Sequence, residues 1–489
     1  YLTSYKIRSL HVFWHNDTTI IIRDENPERK GMDAKQRIYT AGVLYYTVLK
    51  LRTDFQKGRQ EDVMERNDPR YQAYVEILKE ELIPAMGCTE PIALAYAAAK
   101  AREVLGVLPD SVQLQVSGSI IKNVKSVIVP NTGHLKGMEA AVAAGIIAGS
   151  AEKELEVISE VSEEKKSAIR DYLQTVPITI EHTEQGHVFD IVVTERCGQD
   201  YARVRIADYH TNICRIEKNG TVLYEVPLLD ETVQEDARAD RSLLNMQDIW
   251  DFAETADLRD VADLLERQIR YNNAIAEEGL LGDYGANIGR VLLTTYGNDV
   301  SNRAKAKAAA GSDARMNGCE LPVIINSGSG NQGITCSVPL IEYAKELHSG
   351  KEKLYRALII SNLVAIHEKT GIGTLSAYCG AVSAGAGAGA GIVYLCGDGY
   401  QAAIHTVVNA LAIVSGIVCD GAKASCAAKI ASSVDAALLG YNMYKCNQEF
   451  KGGDGIVMKD IETTIKGIGR LGKDGMRQTN EEIIRLMMS

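Results

Sequence analysis

The most apolar stretch of the chain, Gly380 to Val418, is built largely from small residues and contains the run Gly385-Ala-Gly-Ala-Gly-Ala-Gly391. Asp398, Gln401, His405 and Asn409 interrupt it, so it lacks the unbroken apolar span of about 20 residues that a bilayer requires. It predicts buried helices whose small side chains let backbones approach closely, not membrane spans and not a linker. The rest of the composition agrees. In 489 residues there are 43 Gly against 10 Pro, with 46% apolar and only 6% aromatic residues, which describes a folded, helix-rich chain and excludes disorder as the main state. Its length suits roughly two to four domains.

A formal net charge of -11 argues against nucleic acid or an anionic membrane as partner, because both require clustered Lys and Arg to displace counterions. Ten cysteines are too few for a disulfide scaffold, and no signal-type segment opens the chain, so a reducing, cytoplasmic setting is expected.

Residues 1–63 differ from the rest. They hold 11 Lys or Arg against 8 Asp or Glu, and their one coherent pattern is an amphipathic helix from Met32 to Lys57. Asn67-Asp68-Pro69 then supplies a cap and first-turn proline for a helix over Tyr71 to Leu82. The expected class is α+β. A small α/β domain spans 64–175, an antiparallel β segment spans 176–229, and a helical catalytic domain spans 230–489. Within these, Ser111 to Val129 reads as a strand pair, Met138 to Ala148 as a helix, and the five runs between Ile178 and Val226 as an antiparallel meander.

The sharpest motif is Ser327-Gly-Ser-Gly-Asn-Gln-Gly333, which follows the apolar run Leu321 to Asn326 and precedes a helix. It satisfies G-x-G-x-x-G, but the next apolar segment ends in Ser361-Asn362 without the acid that would hold a ribose, which rejects a dinucleotide site. What remains is a cradle of backbone N–H groups at a helix N-terminus, with Ser327, Ser329, Asn331 and Gly333 suited to a carboxylate. No C-x-x-C occurs, so zinc ribbons and thioredoxin-type pairs are unsupported. Cys88 in Met86-Gly-Cys-Thr-Glu-Pro91, Cys379, and Cys419 and Cys426 in Val418-Cys-Asp-Gly-Ala-Lys-Ala-Ser-Cys426 all lie at helix starts or glycine-marked turns, settings that favour thiolates and metal–sulfur clusters. His134, in a turn after a strand, is a candidate general base. Ser119-Ile-Ile-Lys122, Tyr296-Gly-Asn298 and Lys369-Thr-Gly371 mimic the penicillin-recognising signature. That reading is set aside because Ser119 lies in a strand pattern and the chain shows no export signal.

Taken together, Gly87-Cys-Thr-Glu-Pro91, Gly133-His134, Ser327 to Gly333, Cys379 and Cys419-Asp-Gly resemble the L-cysteine desulfidase family, a relative of the iron–sulfur L-serine dehydratases. The resemblance runs from Met64 to Ser489 and leaves residues 1–63 without a counterpart. It implies conversion of L-cysteine and water to pyruvate, ammonia and hydrogen sulfide without pyridoxal phosphate, through a [4Fe-4S] cluster held by Cys88, Cys379 and Cys419, with Cys426 or Cys336 as substitutes. His134 and Glu90 stand as the catalytic pair. The expected partners are an amino-acid substrate and, in a homo-oligomer, further copies of the chain. L-serine deamination and a cluster-less amino-acid-binding protein are the alternatives.

Overall fold

Two units make up the computed structural model, Tyr1–Val63 and Met64–Ser489. It describes residues 64–183, 187–228, 238–373 and 375–488, together with three strands of the first unit, β1 (Thr3–Ile7), β2 (Leu10–His15) and β3 (Thr19–Asp24). These three pair as an antiparallel meander in which Tyr5 faces Val12 and Phe13 faces Ile21. The helix expected over Met32 to Lys57 lies outside the described residues.

The second unit runs α1 (Pro69–Glu81), β4 (Pro84–Met86), α2 (Thr89–Leu105), β5 (Ser111–Val116), α3 (Gly118–Val124), α4 (Met138–Ala148), α5 (Glu163–Thr175), β6 (Ile178–His182), β7 (Asp190–Cys197), β8 (Asp200–Ala207), β9 (Ile213–Lys218) and β10 (Thr221–Glu225). It continues with α6 (Met246–Thr255), α7 (Ala262–Leu281), α8 (Ile288–Tyr296), α9 (Val300–Met316), β11 (Pro322–Ile324), α10 (Gly330–Glu346), α11 (Lys351–Ile372), α12 (Gly380–Cys396), α13 (Tyr400–Val414), α14 (Ser425–Lys445), α15 (Ile461–Arg470) and α16 (Arg477–Met488). The α+β class is therefore observed, as a mixed sheet with a large helical body.

Local signals act as their chemistry dictates. Asp68 caps α1 by accepting from the Arg70 N–H, with Pro69 in the first turn. α1 buries Tyr71 and Tyr74 edge-on against Phe252 of α6, with ring centroids 5.1 and 5.4 Å apart. The alanines of α2 are buried almost without exception, and α4 lies directly on it, since a Cβ on Gly145 would stand 2.1 Å from the Ala95 carbonyl oxygen.

The six-stranded sheet has the order β10-β9-β8-β7-β5-β6. Two expectations change here. β6 is not the first strand of the meander but pairs parallel with β5, Val112 facing Ile178, on the edge away from β7. The second half of the expected strand pair is helix α3, all seven residues of which are buried. Its Ile120, Ile121 and Val124 are β-branched, yet their spacing also fits one helical face, and burial decides for the helix over propensity.

In the helical body, α12 uses its alternate glycines on two sides. Cβ atoms on Gly385 and Gly389 would fall 2.8 Å from Ser433 and Ala437 of α14, while on Gly387 and Gly391 they would meet the carbonyl oxygens of Ser361 and Ala357 on α11 at 2.4 and 2.8 Å. Glycines four apart share a helix face, so the period-two sequence becomes two opposed close-packing surfaces. Among the described residues no helix is long and apolar enough to cross a membrane.

Asp313 of α9 is wholly buried and accepts the Ile288 N–H at 2.7 Å at the start of α8. Burial pushes its carboxyl up to about 6 despite that bond. Because the unfolded chain ionises it more readily, stability falls as pH rises through this range. Asp313→Asn is expected to exceed the parent at pH 7 by about 2 kcal/mol, the ionisation cost less one unpartnered amide. Denaturant unfolding should show that advantage shrinking below pH 6 and vanishing near 4; an advantage that grows in acid would contradict this account.

Candidate active site

Two short pairings bring chain-distant segments together. The first is β4 with β11, where Met86 faces Pro322 and Pro84 faces Ile324. β4 delivers Gly87, at φ +63 and with a Cβ position only 2.7 Å from Pro130 Cγ, and then Cys88 at the N-terminus of α2. β11 delivers the turn Asn326–Ser329, closed by Ser329 N–H to Asn326 O at 3.0 Å and Asn326 N–H to Ser329 O at 3.1 Å. Ser327 and Gly328 both take positive φ there. Gly333 presses α10 onto β11, since its Cβ would stand 2.0 Å from Ile324 O. Thr89 Oγ1 ties the two segments by donating to Gly328 O at 3.0 Å.

The second is an isolated antiparallel bridge between Tyr378 and Val418. Cys379 N–H donates to Ile417 O at 3.2 Å and Cys419 N–H to Ala377 O at 2.6 Å, which sets the start of α12 beside the loop before α14. That loop turns at Gly421, φ +92, whose Cβ would stand 2.1 Å from Lys122 O of α3. Cys426 follows in the first turn of α14, its Sγ 3.6 Å from Gly421 O.

These junctions line one cavity of about 120 Å³, walled by Cys88, Cys379, Cys419 and Cys426, with Glu90, Ser327, Ser329 and Asn331 also on its walls. Gly333 lies behind it, under the helix. His134 is exposed, at φ +68, and does not line it. Cys336 is fully buried in an apolar cluster with Ala365 and Ala384, away from the cavity wall. The cavity thus gathers seven of the residues singled out in sequence, Cys88, Glu90, Ser327, Ser329, Asn331, Cys379 and Cys419, with Cys426 added, and leaves His134 and Gly333 off its wall. All ten cysteines are free.

The thiols are electrostatically linked. Burial pushes Cys379 up to about 12, and the neighbouring Cys419 and Cys426 push it the same way. Cys426 is raised by burial and by Cys419. Burial and neighbouring sulfurs thus favour the protonated form of Cys379 and Cys426 unless further positive charge compensates them. Cys88 packs with Val127 and Met316 in a cluster against which Cys426 also lies, and donates its Sγ–H to Glu90 Oε2 at 3.1 Å; burial and the Glu90 charge raise it well above the usual thiol range. Glu90 also accepts from Asn123 Nδ2 at 2.9 Å, and its Oε2 lies 3.1 Å from Thr89 Oγ1, whose one proton is shared with Gly328 O. Burial alone would raise this carboxyl, but His210, with Nε2 3.9 Å from Oε1, and the Cys88 thiol hold it down to about 2.

Among the described residues no three His, Cys, Asp or Glu side chains gather tightly enough to hold a single metal ion. Four cysteines nevertheless line one cavity, and Cys thiolates are the donors that carry iron–sulfur clusters.

Three lining residues escaped the sequence reading. His210 sits in the β8–β9 turn, edge-on to Phe189 at 4.7 Å, and nothing in its local sequence marks it. Arg315 ends α9, a run of small buried residues in which an arginine is out of place, and that contrast was a usable signal. Lys369 was seen only inside the penicillin-type signature; burial pushes its ammonium down to about 8 against the pull of Cys419 and Cys379. The ground on which that signature was dismissed also changes, because Ser119 lies in the first turn of α3 and not in a strand. The three parts nonetheless do not assemble: Tyr296 is 67% exposed, and neither it nor Ser119 lines the cavity that Lys369 lines.

Residues 152–485 match the family described as serine dehydratase alpha chain. The chain is 61% identical over 426 residues to a UPF0597 protein of Desulfitobacterium hafniense (strain Y51), covering 87% of this chain and 99% of that one. It is 52% identical over 419 residues to a UPF0597 protein of Lachnoclostridium phytofermentans, covering 86% and 100%. A UPF0597 protein of Treponema denticola is 46% identical over 430 residues, covering 87% and 100%.

Proposed function

The chain belongs to the serine dehydratase alpha-chain family, and from that premise we propose that it is an iron–sulfur L-cysteine desulfidase, independent of pyridoxal phosphate. The observation that carries the reading is the convergence of four thiols, from three chain-distant segments, on one cavity shared with the Ser327–Asn331 turn. Cys379, Cys419 and Cys426, which act on one another electrostatically, are the residues assigned to hold the cluster; Cys88, bonded to Glu90, is reserved for proton handling. When bound, a cluster with one iron lacking a protein ligand supplies a Lewis acid for the substrate sulfur, and a soft thiolate suits a soft metal.

The protein's own groups do the rest. The turn and the N-terminus of α10 offer N–H donors to the substrate carboxylate. Lys369, on the cavity wall, takes the Cα proton, and the electron pair so released expels sulfide from Cβ. Cys88 holds a proton at Sγ against the ionised Glu90 carboxylate, ready for the departing sulfur. The aminoacrylate left behind tautomerises and hydrolyses to pyruvate and ammonia in water. His134, exposed and off the wall, takes no part.

Because the matching family is described by serine dehydratase, L-serine is the second reading. Protein purified under argon should be brown, contain iron, and release sulfide and pyruvate from L-cysteine faster than pyruvate from L-serine. Colourless, iron-free protein with full activity would overturn the cluster, and turnover of L-serine alone would overturn the desulfidase assignment.

A further inference from the structure

One side chain on the cavity wall is electrostatically unfinished. Arg315 is only 2% exposed, yet among the described residues it has no carboxylate partner, and its single side-chain hydrogen bond runs from Nη1 to the neutral Asn331 Oδ1 at 3.2 Å. Its Nε and Nη2 are buried with no hydrogen-bond partner. A buried cation left in this state is costly unless an anion completes it. The last turn of α9 favours a cation but does not neutralise it.

The two idle donors form the parallel edge of the guanidinium, the edge that grips a planar carboxylate with two bonds. The same protein shows that grip elsewhere: Arg205 Nε and Nη2 hold the two carboxylate oxygens of Asp190 at 2.9 and 2.6 Å. At Arg315 no carboxylate among the described residues fills the place. The adjoining residue is Gly330, where a Cβ would stand 2.3 Å from Nε and 2.8 Å from Cζ. Its bare backbone lets the guanidinium lie against the first turn of α10, beside Ser327, Ser329 and Asn331.

We propose that Arg315 is the residue that binds the substrate carboxylate, its Nε–H and Nη2–H edge receiving both oxygens while Asn331 fixes the plane of the guanidinium. This rests on the reading of the cavity as an amino-acid site, and it narrows the substrate class to small thiols or alcohols bearing a free carboxylate. It also divides the labour of the site, with the glycine turn shaping the pocket and adding N–H donors to the same carboxylate and the arginine supplying the charge.

The test uses the full chain purified under argon and two thiols that cannot complete the reaction: 3-mercaptopropionate, which keeps the carboxylate, and cysteamine, which lacks it. Calorimetry on the parent should show 3-mercaptopropionate bound at least about tenfold more tightly. Arg315→Gln should weaken 3-mercaptopropionate by about 100-fold, move cysteamine by less than about threefold and leave iron content unchanged. Arg315→Lys, which keeps the charge without the fork, should recover part of the loss. A parent indifferent to the two probes overturns the proposal, a result that needs no variant to fold. So does Arg315→Gln with unchanged 3-mercaptopropionate affinity, or with both probes weakened alike. A parent that shows the preference but holds no iron and releases no sulfide supports Arg315 and defeats the desulfidase reading alone.

Discussion

Alanine in place of Cys379, Cys419 or Cys426 is expected to strip the protein of iron and colour and to lower sulfide release from L-cysteine by well over the ~100-fold that changes behind a metal's ligands produce. Each change removes one sulfur from the assigned set of three, in which burial and the neighbouring thiols raise Cys379 and Cys426 and so make a compensating cation the condition for their ionisation. Two companions sharpen the result. Cys336→Ala, in its own apolar cluster, should keep both iron and turnover. Cys88→Ala should keep iron but lose turnover, because its sulfur is engaged with Glu90. Iron measured per chain alongside sulfide release separates these classes. Full iron in Cys426→Ala with loss in Cys88→Ala would restore the ligand set implied by resemblance.

Gly421→Ala should be nearly as damaging without touching a sulfur. At φ +92 the backbone is one that L side chains rarely adopt, and the new Cβ would sit 2.1 Å from the Lys122 carbonyl oxygen. Left-handed strain alone costs roughly 1–2 kcal/mol, and relieving the clash requires α3 or the 419–426 loop to move. A total loss above about 3 kcal/mol is expected, together with reduced iron, since that loop carries two of the assigned ligands. Unfolding in denaturant with iron analysis checks both; a variant within about 0.5 kcal/mol of the parent, the range of an ordinary surface change, would show that the loop adapts.

How much of this was legible in sequence depended on whether a signal was local. Caps and turns were: Asp68-Pro69 opens α1, Met138 to Ala148 is α4, and the turn before α10 lies where its glycines put it. Cysteine contexts were readable one at a time, as helix starts and glycine turns, but neighbourhood was not. Cys426 stands only as a substitute ligand in the sequence, because position along the chain says little when the bridge at Tyr378 and Val418 sets the geometry. His134 drew attention because histidine in a turn suits a base, whereas His210 reaches the cavity only because the β8–β9 turn folds over Gly328, whose Cβ would lie 3.1 Å from the ring. Helix α3 failed for a related reason, since isoleucine-rich segments take the form their surroundings bury best.

Each sulfur-bearing segment is anchored by contacts that owe nothing to a cofactor: Cys88 by the β4–β11 pairing, Cys379 and Cys419 by their backbone bridge, and Cys426 by α14, which interlocks with the glycines of α12. On the proposed reading the inorganic centre would be a lodger and not a clasp. Oxygen damage that expels it should leave a folded, vacant receptacle, so inactivated protein should regain its colour on supply of ferrous iron and sulfide without passing through the unfolded chain.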